Sequence, residues 1–401
     1  MAYVVDITLL NIKPIARRIQ WQASRWRRSV RRLEELPKDA GAVLVSIDHE
    51  LPQAQIYPFH AYGAEIERAV GERIYEIDLQ HLEAGATHVP MPQVHWVGFQ
   101  APLNCPIDAL LTQVHLLKRL FPAAMLVYFD WYAPLDLRHA EALDPYIAHY
   151  VKKQTFADLG RYRAATVGDT NLMDYYAGRY GLHYGVTQHK FPSGFEGKLA
   201  LGTNFCVSAG LLDRFLSGLP NRKRDIDVHA RIAARGSDWY QTMRQESLDL
   251  ARSVPGVRTV FEGRVSRARF FKELEQSKIC FSPFGYGEVC WRDFEAIACG
   301  ALLFKPRMDH VRVEPDIFVD GQTYVALEWD GSDYEEKVRH YLADAPARER
   351  ITRQAYEVVE TYLRERPFVG SVARLFVEPA RQPLPEAATD ELAAGATRIR
   401  A

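Results

Sequence analysis

Apolar positions in this chain form short unbroken runs and helix-spaced stripes, and the two alternate along most of its length. The run 42–47 (Ala-Val-Leu-Val-Ser-Ile) predicts a buried strand that ends in Asp48-His49-Glu50 and a loop. A helix over 61–70 follows, then strands over 94–99 and 125–129 with a helix across 107–121 between them. Unbroken apolar strands separated by helices predict a parallel sheet covered on both faces. Residues 153–220 are rich in Tyr and Gly and predict no clear order. The polar joint Asn221-Arg222-Lys223-Arg224 reads as a domain boundary.

A second alternation begins there. Its strands are expected over 226–230, 257–262, 278–282, 301–304 and 323–327, and its helices over 239–253, 267–276, 291–299 and 334–342. Ser332 with Glu335 three residues on reads as a capping box. A last helix over 347–363 carries Ile351, Ala355, Val358, Val359 and Tyr362 on one stripe. From Ala380 onward the chain has Pro383, Pro385 and many alanines but no aromatic residue, which predicts disorder. The fold expected is α/β, with two Rossmann-like doubly wound domains facing a central cleft. The boundaries are a basic arm over 1–40, domains over 41–220 and 221–379, and a tail over 380–401. Such halves bind ligand where the carboxyl ends of their strands meet.

Charge changes the picture at one end only. From Lys13 to Arg32 the chain carries eight basic residues and no acidic one, interleaved with Ile15, Ile19, Trp21, Trp26 and Val30. Read as a helix, this arm suits either an anionic membrane surface or a solvated basic face packed on the domain. Over the whole chain 50 Lys and Arg offset 51 Asp and Glu, so no global field points to nucleic acid as a partner. Five cysteines (105, 206, 280, 290 and 299) form no Cys-x-x-Cys pair, which excludes a disulfide scaffold or zinc knuckle and suits a reducing compartment. No apolar run approaches the roughly 18 residues that span a bilayer. A cytoplasmic protein is expected, peripheral on the inner face of the membrane where the arm docks.

The densest chemistry lies in 278–307. A strand through Ile279-Cys280-Phe281 ends at Ser282-Pro283, a loop holds Gly285, Tyr286 and Gly287, and a helix begins near Trp291. Glycines between a strand end and a helix start let amides approach a phosphate, and the helix dipole adds about half a positive charge. Arg292 sits in the first helical turn, where the dipole disfavours a cation, so an anionic partner is expected for it. Glu295, three residues on, would accept hydrogen bonds from a ribose diol. The plainer alternative is a surface pair between Arg292 and Glu295, worth under about 1 kcal/mol.

Ser282-Pro283, Gly285-Tyr286-Gly287-Glu288 and Glu295-Ala296 before Ala298-Cys299-Gly300 resemble the donor-nucleotide motif of GT-B glycosyltransferases. They are most similar to the group 1 and CgeB-like branch, with an exostosin-like Arg-x-x-Glu in Arg292–Glu295. The resemblance implies a nucleotide-sugar donor as substrate, no required cofactor, and a glycan or lipid-linked acceptor. It implies hexosyl or deoxyhexosyl transfer in bacterial surface polysaccharide or glycoconjugate synthesis. It also implies that Glu295 binds the ribose and that the last helix crosses back to the first domain. Retaining members place seven residues between two glutamates; here six separate Glu288 from Glu295, leaving the family role of Glu288 at the donor sugar open. A nucleotide-sugar epimerase and a non-catalytic membrane-surface scaffold with a degenerate site are the alternatives.

Charge left on the departing diphosphate calls for fixed cations. Arg292 and Lys305 are the leading candidates, with Arg264, Arg267, Arg269 and Lys272 as further ones that equally suit a solvated helix face. In the first domain Asp48, His49, His60 and Asp130 fall after strands, and His60 and Asp130 are the expected catalytic groups beside Glu288. His183 and His189 read as ordinary loop histidines. Asp225-Ile226-Asp227 is a short metal-like motif at the opening of a strand, and no metal is expected there. Nucleophile-elbow, P-loop and Gly-x-Gly-x-x-Gly patterns do not occur.

Overall fold

The computed structural model describes residues 29–30, 32–84, 90–204, 209–261, 263 and 265–379. The Lys13–Arg32 arm up to residue 28, Arg31, Arg264 and the tail from 380 therefore lie outside the described residues. Ser29 and Val30, placed in the arm's helix by the sequence, instead form a short strand, β1, along the edge of the first sheet.

The first unit is a seven-stranded parallel sheet. In chain order its strands are β1 (Ser29–Val30), β2 (Ala42–Ser46), β3 (Ile74–Asp78), β4 (Trp96–Phe99), β5 (Met125–Asp130), β6 (His149–Lys152) and, after three short strands named below, β10 (Leu199–Leu201). Their spatial order is β1-β3-β2-β4-β5-β6-β10. Val43, Val45, Val97, Phe99, Leu126 and Tyr128 are all sealed in its core, as expected for strands covered on both faces. The loop expected after β2 is instead a helix, Glu50–Ala61, capped by the His49 ring, which accepts from the Leu51 amide; a second helix, Gly63–Val70, follows.

The segment without a legible pattern has order of its own. β7 (Gln154–Phe156) leaves the first sheet, and a hairpin of β8 (Thr166–Val167) with β9 (Val186–Thr187) brackets a helix, Asn171–Tyr180. Thr170 caps that helix, accepting from the Met173 amide, and Gly181 ends it in the left-handed region at φ 65°.

The second unit is a five-stranded parallel sheet of β11 (Ile226–His229), β12 (Thr259–Val260), β13 (Ser277–Phe281), β14 (Leu302–Pro306) and β16 (Val325–Leu327). Its order is β12-β11-β13-β14-β16, so β12 is added on one side of β11 and the later strands on the other, and the strand order reverses between β11 and β13. That switch point opens a crevice at the carboxyl ends of those two strands. The loops leaving β11 and β13 should therefore carry the site. The helix Tyr334–Ala343 takes Asp333 as its N-cap residue, one position after the predicted Ser332.

A paired ribbon and a returning stretch of chain are two of the connections between the units. β7 pairs antiparallel with β15 (Val311–Val313), a ribbon built from one strand of each unit. The long helix Ala345–Glu365 stays on the second unit, where Ile351 is buried in one cluster with Phe304, Val325 and Leu327. The return to the first unit, assigned to that helix by the sequence, falls to the short helix Pro367–Arg374 after it. There the Trp96 indole donates to the Leu375 carbonyl, and Phe376 stacks on Trp96 at 4.2 Å.

Candidate functional site

A cleft of about 1240 Å³ lies between the units, walled by loops at the carboxyl ends of β2, β4 and β5 on one side and of β11 and β13 on the other. The loop after β13 supplies Gly285, Tyr286 and Gly287, and the helix Trp291–Ala298 supplies Arg292 and Glu295. Five of the sequence's seven donor-site residues are thus brought together on the wall.

Gly287 brings the backbone of the two units close together across the cleft. A Cβ there would stand 1.9 Å from the Ala133 carbonyl oxygen, so only glycine lets this loop meet the loop after β5. Tyr286 is 46% exposed and its ring stacks on Tyr240 at 4.0 Å, with Trp239 edge-on behind. The Arg244 guanidinium donates to the carbonyls of Phe284 and Ala233, bracing the loop from beneath. Burial lowers the pKa of Arg244, and the nearby Arg292 charge adds to that.

Arg292 and Glu295 do not pair as the plainer surface reading required. Arg292 donates through Nη2 to the Arg231 carbonyl at 2.6 Å, while its Nε is buried without a partner. Glu295 is half-buried on the cleft wall, and burial raises its pKa, only partly countered by Arg292. A half-buried carboxylate and a guanidinium on adjacent turns, beside first-turn amides of a helix, can bind a polyhydroxyl group and an anion together.

Ser282 and Lys305 are placed elsewhere. Both are fully buried, because Asp293 takes both of them. Ser282 Oγ donates to Asp293 Oδ1 at 2.6 Å, Lys305 Nζ lies 3.0 Å from Oδ2, and the Cys290 amide donates to the same Oδ2 at 2.8 Å. The pair therefore ties the ends of β13 and β14 to the start of the helix and does not reach the cleft. Glu288 is also sealed at 0% exposure; neither oxygen has a hydrogen-bond partner, and His310 Nε2 is 3.7 Å away.

The first unit's expected catalytic groups are likewise turned inward. His60 lies in the last turn of its helix, 3% exposed, bonded to Gln53 and 3.6 Å from Glu76. Asp130 ends β5 at 0% exposure and accepts from the Tyr150 hydroxyl, the Lys152 ammonium and the Tyr132 amide. It fixes the following loop, and that loop, 131–134, lines the cleft in its place. Arg267, Arg269 and Lys272 are exposed on their helix and outside the wall. Asp227 of the metal-like motif accepts from Lys278 and from the Arg258 amide.

The sequence reading missed Lys153, Arg138, Arg244 and the Tyr240 ring, all of which line the cleft. Lys153 follows Lys152 at the end of β6, and strand alternation sends one ammonium to Asp130 in the core and the other to the cleft. Burial together with Lys152 pulls the Lys153 pKa down to about 8. The Lys-Lys doublet at the end of an apolar run was its signal; for Arg244 it was an arginine beside the buried Trp239–Met243 stripe of its helix.

Comparison with curated proteins gives no match. Among solved structures, TarM aligns at 8% identity over 70% of this chain and 54% of its own (TM-score 0.42). A chain of the GtfA/B complex aligns at 11% over 70% and 56% (TM-score 0.41), so this chain spans little more than half the length of either. A glycosyltransferase from Rickettsia africae aligns at 9% over 84% of this chain and 96% of its own (TM-score 0.45). Residues 213–364, which hold the glycine loop, Arg292 and Glu295, match the family described as glycosyl transferase-like.

Proposed function

We propose that this protein is a glycosyltransferase that moves a sugar from a nucleoside-diphosphate sugar to a glycan or lipid-linked acceptor. The observation that carries the reading is Glu295: a half-buried carboxylate with a raised pKa, open to the cleft beside a glycine loop and a helix N-terminus. The family match over the same residues supports it. Glu295 accepts hydrogen bonds from the ribose hydroxyls. The diphosphate lies at the first turn of the Trp291–Ala298 helix, where Arg292 and the positive end of the helix dipole offset the charge that grows as the anomeric C–O bond breaks. The donor sugar then points towards the 131–134 loop and Lys153, and the acceptor enters from the first unit. Contact between Gly287 and Ala133 excludes water, whose attack on the donor is the competing reaction.

The finer assignment to the group 1 and CgeB-like branch, which rests on the motif from Ser282 to Gly300, belongs to this proposal, as do the exostosin-like reading of Arg292-x-x-Glu295 and the hexosyl or deoxyhexosyl class. So does a place at the inner face of the membrane in surface-polysaccharide synthesis, for which the Lys13–Arg32 arm is the proposed lipid contact. Among the described residues no helix is long and apolar enough to cross a membrane.

Thermal unfolding with UDP, GDP, dTDP, CMP and ADP tests the reading. A nucleotide at about 100 times its dissociation constant adds roughly 2.7 kcal/mol, a rise of several degrees. One nucleotide should give that rise, and Glu295→Ala should abolish it along with transfer while the unliganded protein still folds. No shift with any nucleotide, or an equal shift in Glu295→Ala, would overturn the assignment.

A further inference from the structure

A second cavity of about 300 Å³ opens beside the cleft, built from the segment between β7 and the end of the β8–β9 hairpin, with Trp329 of the second unit at its wall. Asp169 and Thr170 line both cavities, so the two adjoin. The partition between them is an ion network. Arg138 grips Asp136 with two bonds, at 2.6 and 2.8 Å, and its Nη2 lies 3.4 Å from Asp169.

The lining has a definite chemistry. Tyr175, half-buried, meets Trp329 edge-on at 4.8 Å, and the Trp329 indole is held by the Arg307 carbonyl, so two aromatic surfaces have fixed orientations. Asn171, in the first turn of the Asn171–Tyr180 helix, belongs to the same wall, and both polar atoms of its amide are buried with no partner. Most of the lining charge is engaged within the protein: Arg138 covers Asp136 and lies beside Asp169, Lys190 is paired with Glu141, Asp174 accepts from the Val167 amide and Arg161 lies over the Phe156 ring. A cavity with aromatic walls, an unsatisfied amide and offset charge suits a neutral ring with C–H faces and a rim of hydroxyls. An alkyl chain would leave the amide unpaired. The volume lies at the small end of ligand sites and has room for one ring.

We propose that this cavity is an acceptor subsite that holds one neutral sugar unit of a glycan whose reacting end lies in the cleft. The proposal rests on the glycosyl-transfer reading of the cleft. It makes the acceptor at least a disaccharide, bridging the Asp169 sill. The residues that select it, Asn171 and Tyr175, lie apart from the donor wall.

Saturation-transfer NMR on the full chain with saturating nucleotide tests it, using glucose, maltose, cellobiose, lactose and N,N′-diacetylchitobiose as probes. At least one disaccharide should bind more tightly than the monosaccharide. Asn171→Ala and Tyr175→Ala should each weaken it about five- to tenfold, the loss of one hydrogen bond or ring contact. The nucleotide-induced thermal shift, unchanged in both variants, reports that they fold. The subsite is overturned when no disaccharide binds the wild-type chain, or when both variants bind as wild type does. A nucleotide shift that persists in those cases leaves the donor reading standing, whereas its absence from the wild type removes both.

Discussion

Asp293 explains why two well-placed polar residues lie outside the cleft. A buried carboxylate needs partners, and Ser282, Lys305 and the Cys290 amide fill that need from three different segments. Their purchase is positional: the helix N-terminus is held at the end of β13 by charge-assisted bonds. Glu295, two residues on, has no such partner among the described residues and keeps its carboxyl for a ligand. Its raised pKa has a sign that can be checked. The folded chain holds this proton to higher pH than the unfolded chain, so the stability linked to Glu295 is full at low pH. It declines as pH rises from the ordinary carboxylate value to the raised one. Ribose binding needs the ionised form, so nucleotide affinity should climb over that same window and then level off. Titration calorimetry across a mildly acidic pH series should show this limb in the wild type and not in Glu295→Gln, the nucleotide's own titration being common to both. An identical limb in the variant would assign the titration to another group.

At the level of elements, the site is made by two loops that leave neighbouring parallel strands where the strand order reverses. The loop after β11 leads into the helix Asp238–Arg252, which supplies Tyr240 and Arg244; the loop after β13 supplies the glycines. Tyr286 stacked on Tyr240 locks the two loops to each other, and Gly287 sets how near they come to the first unit. Gly287→Ala puts a methyl group into the Ala133 carbonyl, and because both atoms belong to backbone-defined loops, the gap must widen. Nucleotide binding should survive, since Glu295 and Arg292 lie on the helix. Transfer should fall by about two orders of magnitude, the cost of misplacing reacting groups by roughly 1 Å. Steady-state kinetics beside the thermal-shift assay separates the two effects, and wild-type turnover in Gly287→Ala would mean the contact plays no part in positioning.

At the scale of the molecule, the units are joined by the β7–β15 ribbon and by the return of the chain over 367–377. The ribbon lies beside the cleft floor: Gln154 of β7 donates to the Ala133 carbonyl that Gly287 approaches, and Asn204 donates in turn to Gln154. The return segment caps the far side of the first sheet, with Phe376 flat against the fully buried Trp96. Phe376→Ala should therefore destabilise the first unit by about 1–3 kcal/mol. It should leave the nucleotide shift of the second unit in place. Calorimetry should resolve a lowered transition in the variant, and an unchanged profile would show that the return segment contributes nothing to the first unit.

Much of this architecture is legible in the chain because parallel strands buried on both faces must be apolar throughout, and their helices must carry an apolar stripe. Both signals are local, and they placed eight of the twelve described strands of the two parallel sheets, and the glycine loop, within a few residues of where they lie. β3, with polar Glu76 and Asp78 within it, broke that rule and was missed. Arg292 and Glu295 were legible for a related reason, since helix spacing alone puts them one turn from an N-terminus. Direction was not legible. Lys152 and Lys153 are adjacent and identical, yet the pleat gives one to Asp130 and the other to the cleft. Asp130, Ser282 and Lys305 lie at or beside strand ends, where the sequence allows either face, and partners brought in from other segments turned them inward. The cavity at Asn171 is built by a segment with little apolar periodicity, capped and hairpinned through single residues such as Thr170 and Gly181. Its walls, and the choice of which polar groups face a ligand, are set by contacts between the two units, and those exist only once the chain has folded.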